Sequence, residues 1–295
     1  MLKKTLFFRT PSHLSCRLDQ LLVHYKDKEM EKSIPMEDIA YLVIEHPQIT
    51  FTMKALQKLI ENNAAVVFCD ERHYPASMLL AFEGHHIQTQ RFHAQLSAGP
   101  VLKKQLWKEI VKAKIRNQSA LLEYRGKDAK ALKYKATKVL SGDSSNEEAK
   151  AARMYWYRLF GPDFIRARFG KPPNAALNYA YAILRSACAR ALTGSGLLPS
   201  VGIHHRNKYN AFCLADDIME PYRPFADLLV LELIDRGLNA DNLGQKEKAL
   251  LLKLPAMDTL IDGRKRPLII ALSSTTSSLS RTFEGVSRKL LYPQL

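Results

Sequence analysis

The chain has 295 residues, 46% of them hydrophobic, which is enough for two domains or for one large domain with an appendage. Its 44 Lys and Arg against 29 Asp and Glu leave a formal charge of +15, and an excess of that size points to a polyanionic partner. Nucleic acid comes first, since phosphates neutralised by Lys and Arg supply most non-specific affinity, whereas no run reaches the roughly 18 apolar residues of a membrane span.

The amino terminus begins like a secretory signal, but Arg9 interrupts the apolar segment early, so it reads as a strand in a cytoplasmic protein. Residues 1–70 read mostly as β, with short runs at 5–8, 18–24 and 41–44, a helix at 51–62 and a buried strand at 64–70. Residues 71–100, broken by Pro75, Gly84 and Gly99, read as a linker, and His73, His85, His86 and His93 within it lack a supporting carboxylate cluster. Cys16, Cys69, Cys188 and Cys213 are far apart and form no Cys-x-x-Cys pair, so each reads as a small buried apolar side chain.

From residue 101 to 295 the period is helical. The first block, 101–122, carries Leu102, Leu106, Trp107, Ile110, Val111, Ile115 and Leu122 as an apolar stripe. Lys103, Lys104, Lys108, Lys112 and Arg116 occupy much of the other side. Such a stripe is ordinarily a solvated face, but here no acidic face balances it, so Lys108, Lys112 and Arg116 become candidates for contact with DNA. Further helical blocks fall at 126–140, 147–160, 175–192, 224–237 and 246–254, followed by an apolar run at 268–272 and a Ser/Thr-rich segment at 273–280. The fold class is therefore α+β, a small N-terminal β-rich domain joined to a larger all-α C-terminal domain.

Chemistry concentrates between residues 204 and 224, where His204, His205, Asp216, Asp217, Glu220 and Arg223 adjoin a strongly apolar helix. Adjacent side chains face different ways, so at most one of the two imidazoles can be a primary ligand. Asp217 and Glu220, three apart, can share a helical face, and Pro221 removes a helix hydrogen bond, which predicts a break that displays Glu220. Upstream, helical phase puts Glu148 on the face of Ala151, Ala152, Tyr155 and Leu159, and Glu147 with Lys150, Met154 and Arg158 toward solvent. A carboxylate on an apolar face is costly unless paired. It either favours the helix N-terminus electrostatically or joins the downstream cluster around a metal. A set of Glu148, one histidine and Glu220, rich in oxygen with one imidazole, suits Mg²⁺ or Mn²⁺ better than zinc.

These segments also carry a family resemblance. EAKAARMYW at 148–156, PNAALNYAYAIL at 173–184, and GIHH at 202–205 with LADDIMEPYRP at 214–224 resemble, in that order, the CRISPR-associated spacer-acquisition endonuclease/integrase, the first-numbered Cas protein. The basic segment WKEIVKAKIRNQ at 107–118 resembles its type II subgroup. The resemblance implies a divalent metal held by Glu148, His205 and Glu220, the histidine standing fifteen residues before the final acid. Many members carry aspartate at that last position, and glutamate is a longer arm for the same role. Asp217 matches a nearby family acid in a supporting role or close to DNA, and Asn178 and Arg223 match supporting or phosphate-binding positions. It implies strand transfer from the 3′-hydroxyl of captured DNA to the CRISPR repeat, a homodimer formed through the β domain, and two such dimers bridged by a dimer of the second-numbered Cas protein. The alternatives are a general metal-dependent nuclease acting on branched DNA and a non-catalytic DNA-binding scaffold.

Overall fold

The computed structural model describes residues 4–25 and 30–295, so the start of the signal-like segment, residues 1–3, lies outside the described residues. The chain divides into two compact units, 1–84 and 85–295.

The first unit contains β1 (Lys4–Phe8), β2 (Ser12–Arg17), β3 (Gln20–Tyr25), β4 (Met30–Pro35), β5 (Ile39–Ile44), β6 (Thr50–Phe51), α1 (Met53–Glu61), β7 (Ala65–Cys69) and β8 (Pro75–Leu79). They form two four-stranded sheets, ordered β1-β5-β7-β8 and β4-β3-β2-β6. β5 is buried at every position, as a strand paired in parallel on both edges must be. One apolar cluster joins Leu14, Leu21 and Val23 from one sheet to Leu42 and Val66 from the other, with Ala55 and Leu59 of α1. The run expected at 18–24 begins at Gln20, because Leu18 and Asp19 are the left-handed turn of a tight hairpin in which Arg17 pairs with Gln20.

The second unit contains α2 (Gln88–Ser97), α3 (Pro100–Tyr124), α4 (Lys130–Lys138), α5 (Glu147–Phe160), α6 (Asn174–Gly194), α7 (Cys213–Met219), α8 (Arg223–Asp235), α9 (Gln245–Leu251), β9 (Asp258–Ile261), β10 (Arg264–Pro267) and α10 (Leu268–Phe283). The segment read as a linker thus carries β8 and α2. α2 is tied in by Gln95, whose buried amide donates to the carbonyls of Leu198 and Val201 and accepts from the Leu198 N–H. The helical unit also holds one hairpin, β9–β10, turned at Asp262-Gly263. The Ser/Thr-rich stretch is helical throughout. Its hydroxyls return to carbonyls three or four residues back, as Ser273 to Ile269, Ser278 to Thr275 and Thr282 to Ser278 show, so a polar sequence is buried without open donors. Cys188 and Cys213 are buried, whereas Cys16 and Cys69 are only partly so.

Candidate metal centre

α3 is the platform of the site. Trp107, Ile110, Val111 and Ile115 bury its apolar face as the periodicity predicts, and of the four buried polar residues on α3, Lys114 and Asn117 serve the site. Asn117 Nδ2 donates to the carbonyls of Pro221 (2.8 Å) and Pro293 (3.0 Å). Pro221 interrupts the helix as expected: α7 ends at Met219, residues 220–222 make a 3-10 turn, and α8 starts at Arg223. Asn117 therefore fastens the break to α3 and sets Glu220 against Lys114.

The Lys114 ammonium lies 2.7 Å from Glu148 Oε1 and 2.5 Å from Glu220 Oε2. Glu220 Oε1 meets an Arg223 guanidinium nitrogen at 2.8 Å, and the Arg223 guanidinium lies 4.7 Å from the centre of the Tyr181 ring. Burial pushes the Glu220 carboxyl pKa up, but Arg223, Lys114 and His205 together hold it below the usual carboxylate range. Burial likewise opposes the Lys114 charge, and Glu220 and Glu148 outweigh it. Apart from its ionic contact with Lys114, the buried Glu220 Oε2 has no hydrogen-bond partner among the described residues.

Glu148 reaches this pair from the first turn of α5. That turn is capped by Asp143, which accepts the N–H of Glu147 on Oδ1 (2.9 Å) and that of Glu148 on Oδ2 (3.0 Å). The two glutamates are buried in the reverse of the order that helical phase predicts. Glu147 is the more buried, at 7% exposure, because Lys135 of α4 and Lys150 cover it at 3.1 and 2.8 Å. The Glu148 side chain keeps 25% exposure and faces Lys114.

His205 sits in the loop before α7. Its Nδ1 is 2.6 Å from Oδ1 of the fully buried Asp217, which also accepts the N–H groups of Ile203 (2.6 Å), His204 (3.0 Å) and His205 (3.2 Å). That hydrogen bond raises the imidazole pKa against the opposing effect of burial. With Nδ1 held, the lone pair for a ligand falls to Nε2. The His204 ring instead stacks on Trp107 at 4.1 Å and nearly parallel. Asp216 is held by Arg185 (2.6 and 2.9 Å) and Asn210 (2.7 Å), which pins the rest of the loop to α7. Beside His205 opens a cleft of about 580 Å³, lined in part by Lys103, Gly202, Arg206, Asn207 and Lys208.

Lys108 and Lys112 are half-buried on α3, Lys112 beside Glu109 at 3.2 Å, and Arg116 is exposed. Asn178 does not join the carboxylates: its Oδ1 accepts from Arg166 and its Nδ2 donates to the Arg168 carbonyl, fixing the loop before α6. Arg223 does join them, through Glu220. The sequence places Lys103 in the basic stripe of α3 and marks 141–146 as a source of capping residues, but it does not single out Lys114, Asn117 or the cleft-lining Arg206 and Lys208. For Lys114 a signal existed, because it follows Trp107 and Val111 at helical spacing and so places a charge in the apolar stripe.

Among the described residues, no three His, Cys, Asp or Glu side chains stand close enough to hold a metal ion as arranged. Glu148 and Glu220 converge on the Lys114 ammonium instead, with His205 near enough to act electrostatically on Glu220. The donor set nevertheless fits a hard divalent cation. Two carboxylates already share one positive charge, one of their oxygens is buried with that ammonium as its sole partner among the described residues, and an imidazole is fixed by a buried acid.

A family model described as CRISPR associated protein Cas1 matches residues 6–264. The chain belongs to the Cas1 family. It is 38% identical to the CRISPR-associated endonuclease Cas1 of Neisseria meningitidis serogroup C, over 93% of this chain and 90% of that relative. Among solved structures, a casposase bound to integration product superposes with a TM-score of 0.79 at 21% identity, covering 98% of this chain and 92% of that one. A chain of a Cas6-RT-Cas1–Cas2 complex gives 0.70 at 21% identity, covering 99% of this Cas1-family chain and 36% of its own length. At such identities these two likenesses bear on the fold, which is the α+β arrangement expected from the sequence.

Proposed function

We propose that the chain is a metal-dependent DNA endonuclease and integrase of CRISPR adaptation, which joins the 3′-hydroxyl of captured DNA to the repeat by transesterification. The observation that carries this reading is the convergence of Glu148 and Glu220 on a single cation beside the His205–Asp217 pair in a Cas1-family chain. The related proteins' names add endonuclease activity, an integration product and a complex with Cas2.

Glu148, Glu220 and His205 Nε2 would hold Mg²⁺ or Mn²⁺, which supplies Lewis-acid polarisation of a phosphodiester. Asp217 keeps the imidazole in one tautomer and orientation. Arg223 steadies Glu220 and adds positive charge where a phosphate must sit. The basic residues of α3 and the cleft, among them Lys108, Lys112, Arg116, Arg206 and Lys208, attract the DNA backbone. The fragment's 3′-hydroxyl gives up its proton to solvent as its oxygen bonds to phosphorus, a repeat P–O bond breaks, and the departing oxygen takes up a proton from solvent as a new 3′-hydroxyl. No side-chain nucleophile takes part. Water in place of the attacking hydroxyl gives strand cleavage, and the reverse reaction resolves a branched product.

The assembly in this reading is a cytoplasmic homodimer, two dimers being bridged by a Cas2 dimer, and the basic α3 supports the type II subgroup. The test is joining of a labelled duplex fragment to repeat DNA with Mn²⁺, with and without the cognate Cas2. Joining that requires Cas2 supports the integrase. Cleavage of branched DNA with no dependence on Cas2 points to a general nuclease, and neither activity points to a scaffold.

A further inference from the structure

We propose that Lys114 is the resident counter-cation of the metal site: its ammonium holds Glu148 and Glu220 together in the ion-free protein and yields its place to an entering divalent cation. Its flexible stem then leaves the ammonium beside the reacting phosphate. This inference rests on the reading of Glu148, His205 and Glu220 as ligands.

Three observations carry it. The first is position: one ammonium is shared by carboxylates from two separate segments, at 2.7 and 2.5 Å, where a ligand set would close. The second is incomplete satisfaction. A buried ion pair stabilises a fold best when its remaining hydrogen-bonding capacity is met, yet beyond the Lys114 ammonium Glu220 Oε2 has no further partner among the described residues. The Lys114 ammonium is thus the sole partner of this oxygen among the described residues, and withdrawing it frees a buried carboxylate oxygen for an entering cation.

The third is charge. Glu148 and Glu220 contribute −2 and Lys114 and Arg223 contribute +2, so the ion-free cluster is neutral. A divalent cation added to that cluster leaves a formal excess of two positive charges. That excess is balanced only as the phosphodiester becomes pentacoordinate and dianionic, so Lys114 would stabilise the transition state more than bound substrate. Lysine suits the exchange because its compact charge can withdraw on a four-carbon stem while α3 stays in place. An arginine fork would bind the carboxylates bidentately and resist displacement.

The test uses the full-length protein and Mn²⁺ alone, followed by calorimetry and thermal unfolding. Lys114→Met leaves two adjacent carboxylates with Arg223 on Glu220 as their remaining cation, a net charge of −1, so the metal-free variant should melt below the wild type. It should bind Mn²⁺ about tenfold more tightly, and Mn²⁺ should raise its Tm further than that of the wild type. Lys114→Arg should bind Mn²⁺ more weakly than the wild type. Wild-type Mn²⁺ affinity in Lys114→Met, with the same loss of Tm with and without the ion, would make Lys114 a structural partner and overturn the inference.

Glu220→Gln separates the two levels. If it leaves Mn²⁺ binding intact, the ligand reading itself fails and takes this inference with it. Should Lys114→Met not fold, the wild type still gives an answer through the ¹H–¹⁵N signals of its lysine ammonium groups. The slowly exchanging signal that is absent from Lys114→Arg should shift or vanish on addition of Mg²⁺, and a signal unmoved at saturating Mg²⁺ would refute the exchange.

Discussion

His205 Nδ1 lies 2.6 Å from Oδ1 of Asp217, a carboxylate with no solvent exposure that also gathers the backbone N–H groups of residues 203 to 205. One acid thus shapes the loop and orients the imidazole. Asp217→Ala leaves these donors unpaired, that of Ile203 buried and the others partly so, and should destabilise the protein by about 3 kcal/mol. It should also lower strand joining by about 10- to 100-fold, as loss of a partner behind a metal-binding histidine does. Denaturant unfolding and the joining assay measure the two effects, and wild-type joining would deny Asp217 its orienting role.

Asp143 connects a helix cap to chemistry, since the N–H group of Glu148 is one of the two it accepts. Asp143→Ala should cost about 1–2 kcal/mol of stability and weaken Mn²⁺ binding by loosening the first turn of α5. Asp143→Asn, which keeps one acceptor, should recover part of both. Equal loss in the two variants would mean that the cap does not position Glu148.

Much of the helical unit was legible because α3 and α5 carry apolar residues at helical spacing over several turns, and α6 and α8 are long, largely apolar runs that end up buried on most sides. The polar edge strand β4 and the short β8 lack that contrast. The Asp262-Gly263 hairpin had a readable signal that the apolar run after it obscured. Within the site, helical phase pointed to Glu148 and the break at Pro221 to Glu220, only the family resemblance chose His205 over His204, and phase misjudged Glu147. Hydrophobic phase takes no account of burial by ion pairs, and Lys135 comes from another helix. Lys114 and Asn117 were missed for the same reason: their partners, Glu148, Glu220 and Pro221, are remote in sequence.

Asp227 supplies a pH signature behind the carboxylates, reached from them through Arg223 and Tyr181. It is buried, accepts hydrogen bonds from Tyr155 (2.7 Å) and Tyr181 (2.6 Å), and burial pushes its pKa up to about 6 despite those bonds and the nearby Arg223 and Arg166. A raised folded-state pKa means that the folded protein holds the proton more tightly. The contribution to stability is then full below about pH 4 and is lost as pH rises through about 6. The stability of the wild type relative to Asp227→Asn should therefore fall by about 3 kcal/mol between pH 4 and pH 7. A difference that stays flat or rises with pH would place the proton elsewhere.

The basic side of α3 is tested by salt. If Lys108, Lys112 and Arg116 meet phosphates, replacing all three with Ala should reduce the slope of log affinity against log salt by about 2–3. An unchanged slope would put the DNA on another face.

The central claim is that Glu148, His205 and Glu220 act together as the ligands of one catalytic metal. The most direct measurement is Mn²⁺-dependent joining of a 3′-hydroxyl fragment to repeat DNA by Glu148→Ala, His205→Ala and Glu220→Ala, with DNA affinity measured in parallel. The account predicts that each variant loses about a thousandfold or more in joining while binding DNA within about threefold of the wild type, since phosphate contacts made elsewhere dominate affinity. Joining at the wild-type rate by any one of the three would contradict it.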